Sequence, residues 1–150
     1  MTVTQNFVFA AWFLCATTAA GTEAAIHRAA EPIYGCHEFD KQSVALQGTM
    51  FSRIYFGSPN YGENPDTDGR DTAALLLLDA PICVNENRET FSQAEFNVIL
   101  VQLAAVSIDP HKLFEGVGHR VEVVGTLFHS ITGHHRTPVL VEVNAIRILD

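Results

Sequence analysis

From residue 42 onward the apolar positions recur with a period of two rather than 3.6, the spacing of strands with one buried face. Val44, Leu46 and Met50 follow it in SVALQGTMFSRIYF, and Val121, Val123 and Leu127 follow it in RVEVVGTLF. Each run carries a glycine at the matching place, Gly48 and Gly125, just before Thr-Met-Phe or Thr-Leu-Phe. A glycine inside a strand marks a bend, a bulge or a close backbone approach. The pattern therefore predicts two curling strands. Residues 72–79 (TAALLLLD) and 97–103 (NVILVQL) are short, almost continuous apolar runs, read as buried strands. Residues 138–149 alternate at Val139, Val141 and Val143 and then change phase to Ile146 and Ile148. A bulge near Asn144-Ala145 restores the inward face.

Residues 109–116 (DPHKLFEG) break the strand pattern. An acid at the N-cap, Pro110 at the first helical position and Gly116 at the stop mark one or two helical turns. The order is thus three strands, a short helix and two strands. That predicts an all-β chain with one short helix, folded as a five-stranded OB-fold-like Greek-key barrel. Residues 60–70 (NYGENPDTDGR) form a connection rich in Gly, Pro, Asn and Asp, long enough to be a functional loop. Residues 64–69 imitate the first half of a calcium loop, but position 12 is Leu75 instead of a bidentate Glu, so an Asx-rich turn is the reading.

At 150 residues and 16.4 kDa the chain is long enough for one core. With 47% hydrophobic and 17% charged residues and a mean hydropathy of +0.13, it is too apolar for a disordered chain. Nine Lys and Arg against 17 Asp and Glu leave a net charge of −8, the wrong sign for neutralising phosphates. Nucleic acid is not an expected partner.

The first 25 residues hold no Lys or Arg and one acid, Glu23, around the apolar run FVFAAWFLCATTAA. That run of about 14 residues falls short of the roughly 20 that span a bilayer, and it ends in small residues. Residues 1–25 are read as a signal peptide cleaved after Ala20 or Ala25, although MTVTQN lacks the usual basic side chain. Residues 26–41 are then an N-terminal extension and 42–150 the barrel domain, with no transmembrane segment after cleavage and a periplasmic or secreted location. The mature chain keeps Cys36 and Cys83, and an even count in an oxidising compartment predicts a disulfide. A loop of this size contributes roughly 3 to 5 kcal/mol.

Three of the seven His, His129, His134 and His135, fall in the connection between the last two strands. With Arg136 and Thr137 they are the candidate binding residues. The same imidazoles are candidate ligands for zinc or copper, although adjacent His134 and His135 cannot easily face one ion. Other readings are polar residues capping the barrel and acid-base work by His134 or His135. No nucleophile elbow, metalloprotease helix, phosphate loop or paired zinc cysteines occur, so no catalytic residue is assigned and no cofactor beyond zinc or copper is considered.

LFEGVGHRVEVVGTLFH from Leu113, followed by TGHHRTPVLVEV from Thr132, resembles a small secreted bacterial family catalogued as domain of unknown function 4431. The resemblance extends to LLLDAPICV at residues 76–84 and to the Val44-x-Leu46-x-Gly48 strand. It implies an exported protein, some similar domains standing beside a lysozyme-inhibitor-like region, and it carries no established reaction. Arg136 stands where another His is expected, which weighs against a three-His cluster. The resulting reading is an exported OB-like binding module of the bacterial envelope, protein-binding or inhibitor-like. Its acidity favours a basic envelope protein or cell-wall hydrolase as partner. The alternatives are zinc or copper binding through the His loop and a small envelope hydrolase.

Overall fold

The computed structural model describes residues 35–149. The signal-peptide reading, its cleavage after Ala20 or Ala25, and residues 26–34 of the extension lie outside the described residues. The described chain runs β1 (His37–Glu38), β2 (Ser43–Phe56), β3 (Arg70–Asn85), β4 (Glu95–Ala104), α1 (Pro110–Phe114), β5 (Arg120–His129) and β6 (Val139–Ile148). Five strands close in the order β3-β2-β5-β6-β4, and a further β3–β4 pairing completes the ring. Every neighbour is antiparallel except β4 with β6, which run parallel from Gln102–Leu140 to Ala104–Glu142. This ring, with α1 between β4 and β5, is the expected OB-like arrangement.

The two glycines sit where β2 and β5 curl. At Gly48 β2 pairs with both β3 and β5, and a Cβ there would run into the Leu77 carbonyl oxygen. At Gly125 a Cβ would meet the Glu142 carbonyl oxygen. The register of β5 on β6 steps from Val124–Ala145 to Gly125–Val143, leaving Asn144 unmatched at the anticipated bulge. Val44, Leu46, Met50, Leu76, Val101, Val121, Val123, Leu127, Val141 and Val143 point inward and are buried. Asp109 caps α1 by accepting the His111 N–H at 2.9 Å, and Leu113 enters the core from the helix.

Two features differ from expectation. The strand read as residues 72–79 runs on to Asn85, so Cys83 lies inside it rather than after it. Register shifts against β4 between Leu77, Ile82 and Val84 mark the part of the strand beyond its continuous apolar run. The two residues of β1 carry no detectable period and pair in parallel with Val84 and Asn85. Cys36, just before β1, is bonded to Cys83 with Cα atoms 4.8 Å apart.

Candidate functional site

Two hairpin connections, 57–69 and 130–138, meet at one end of the ring. The first is built around Asp68. Its carboxylate accepts the backbone N–H groups of Gly62 (2.7 Å), Asn60 (3.1 Å) and Asn64 (3.2 Å) and the Asn60 amide (3.1 Å). Burial pushes the Asp68 pKa upward, but these four bonds outweigh it and hold the group below its ordinary value. The residues resembling a calcium loop thus form the Asx-rich turn. The same wrapping holds Tyr61 at φ 54°, a left-handed conformation rare for a bulky side chain. Strain of this kind persists where the surroundings over-determine it, and it concentrates at functional sites.

The second loop is fastened to β4. Buried Thr137 donates its hydroxyl to the Val139 carbonyl at 2.6 Å and accepts the Gln102 N–H at 2.9 Å. The Gln102 side chain accepts the Arg136 N–H at 2.6 Å and donates to the His134 carbonyl at 3.2 Å. Leu75 and Leu140, which flank Gln102 in register on the face opposite the core, are both buried. The loop therefore folds back over the outer surface of the sheet.

Where the loops touch, the His134 ring lies between an acid and a phenol. Its Nδ1 stands 2.8 Å from the Asp71 carboxylate and its Nε2 stands 3.0 Å from the Tyr61 hydroxyl. An ionised carboxylate only accepts, so Nδ1 carries the proton and Nε2 of the neutral ring accepts from the phenol. The Arg136 guanidinium, only 12% exposed, donates to the Phe56 carbonyl at 2.9 Å and stacks 4.8 Å over the Tyr55 ring. It also approaches Asp71 at 3.5 Å, so one carboxylate joins both loop residues. His134 and Asp71 remain reachable, at 54% and 37% exposure.

The other two imidazoles point elsewhere. His135 Nδ1 accepts the Ile131 N–H at 2.9 Å, and its ring meets Phe128 edge-on. Burial, then the neighbouring His134, lower its pKa. His129 faces the Ser130 carbonyl at 3.1 Å and Glu95 at 3.2 Å, with Phe39 against its ring. The loop thus gathers His134, Arg136 and Thr137 into one network but does not bring the three imidazoles together. Among the described residues no group of three or more His, Cys, Asp or Glu is placed to hold a metal ion. Tyr61, Asp71 and Gln102 were not candidates in the sequence. Tyr61 lies in the connection read as a functional loop, but nothing in the local pattern pairs it, Asp71 or Gln102 with the His loop, because each meets that loop across more than 30 positions of chain.

The resemblance seen in the C-terminal half has a counterpart among known families. Residues 100–147 match the family described as Domain of unknown function (DUF4431). The matched stretch holds Gln102, His129 and His134 to Thr137, while Tyr61, Asp71 and the stretches at 44–48 and 76–84 lie outside it. No curated protein and no solved structure gave a match.

Proposed function

We propose that this protein is an exported, non-catalytic binding module of the bacterial envelope, periplasmic or secreted, that holds a protein partner through loops 57–69 and 130–138. The interlocking of Tyr61, Asp71, His134 and Arg136 carries this reading. A surface held by side chains that fix one another's rotamers is already organised for recognition, and little ordering is left for the binding step. By analogy of fold alone, OB-folds use these two loops to bind ligands. The Cys36–Cys83 bond suits an oxidising compartment, and the charge of −8 suits a basic partner.

A hydrolase reading has one observation in its favour, the Asp71–His134 pair, which resembles a base and its orienting acid. Against it, the nitrogen a base would use faces the Tyr61 hydroxyl. No Ser, Thr or Cys side chain bonds to His134 among the described residues. The test is capture of envelope proteins on the immobilised mature chain beside its His134→Ala/His135→Ala variant. Retention of one partner by the parent and its loss from a folded variant is the expected result. Stoichiometric zinc or copper in protein purified without chelator, or turnover abolished by His134→Ala, overturns the reading.

A further inference from the structure

A second surface lies where β2 changes partners. Among the described residues, Ser43 to Gln47 of this strand pair with β5 alone, because its ladder with β3 begins only at Gly48–Leu78. On the facing strand, β1 covers only Val84 and Asn85. Between the two edges opens a cleft of about 360 Å³, with Leu46, Leu78 and Ile82 among its apolar lining and His37, Asp79 and Glu122 among its polar lining.

We infer that the unpaired edge of β2 takes up an extended, basic polypeptide segment as an added strand beside residues 43–47. A row of unpaired backbone groups is a template for another chain, and natural edges are guarded by Lys, Pro or a covering loop. The SVALQ edge has neither Lys nor Pro. In strand addition the main chain supplies affinity and alternate side chains supply specificity. Here one set of side chains meets the apolar lining while the other meets Asp79 and Glu122. The lining contains no Lys or Arg. Arg120 and Arg147 bind those two carboxylates from outside it, and the chain as a whole is strongly acidic. This surface shares no residue with the loop junction, so the two readings stand or fall separately.

The probe is the synthetic peptide Lys-Val-Lys-Val-Lys-Val-Lys added to the mature protein, with amide hydrogen exchange as the readout. Exchange at those amides of residues 43–47 that face away from β5 is expected to slow at least tenfold with this peptide. It should not slow with the Glu-Val counterpart or with a backbone N-methylated version. Asp79→Lys is expected to weaken the basic peptide at least tenfold. Unchanged exchange, or equal protection by the acidic or N-methylated peptide, overturns the inference. Protection of those outward-facing amides already present without peptide also overturns it, whether it persists on dilution, as for a segment of the same chain, or vanishes, as for a second copy.

Discussion

Single residues decide where this chain bends. At Gly125 the obstacle to a side chain is the Glu142 carbonyl, part of a paired backbone that cannot swing aside like the end of a long side chain. Gly125→Ala is therefore expected to destabilise the protein by about 1 to 3 kcal/mol, as overpacking does elsewhere. A urea midpoint unchanged from the parent would contradict this. Two titrating residues give opposite chemistry but the same sign. Asp68 is held below its ordinary value in the fold, so its contribution is complete above about pH 4 and is lost as pH falls through the folded value. His135 is a base with a lowered pKa, so the unfolded chain takes its proton first and stability declines as pH falls below about 6.5. Protonation also removes the acceptor of the Ile131 N–H. Protection of the Ile131 amide, taken relative to its intrinsic exchange rate at each pH, is thus expected to fall as pH drops below about 6.5, and that of Gly62 only in stronger acid, with His135→Phe abolishing the first change.

At the scale of elements, the disulfide ties the two-residue β1 to the irregular end of β3. A strand so short has little pairing of its own, and the bond closes a sequence separation of 47. Cys36→Ala/Cys83→Ala should lower stability by roughly 2 to 5 kcal/mol, measured by urea denaturation, and should speed amide exchange at Val84 and Asn85 first. The elements that were legible in the sequence are those governed by local rules. The alternation of β2 and β5, the Asn144 bulge and the Asp109 cap each follow from residues within a few positions of one another. What was not legible is governed by the register between distant strands. The end of β3 follows two register shifts against β4, and the Asp71–His134 contact joins residues 63 apart. The His loop was recognisable by composition, yet its partners became visible only once the ring brought the two hairpin ends together.

The whole molecule adds a long-range field to these local contacts, and the two can be separated by kinetics. A charge of −8 attracts a basic partner before contact, and that attraction is screened as the Debye length shrinks from about 10 Å at 0.1 M salt to about 3 Å at 1 M. The loop junction acts only after docking, through groups within hydrogen-bond reach of the partner. Charge at a distance governs the association rate, whereas the quality of close contacts governs dissociation. For a partner captured on this surface, the association rate should therefore fall steadily with salt in both the parent and His134→Ala/His135→Ala. The variant alone should dissociate about tenfold faster, equivalent to ~1.4 kcal/mol. Surface plasmon resonance across a salt series reads both quantities from one set of traces. A variant that changes the salt dependence while leaving dissociation untouched would mean that the imidazoles contribute only to the field, and the loop junction would then no longer be the point of contact.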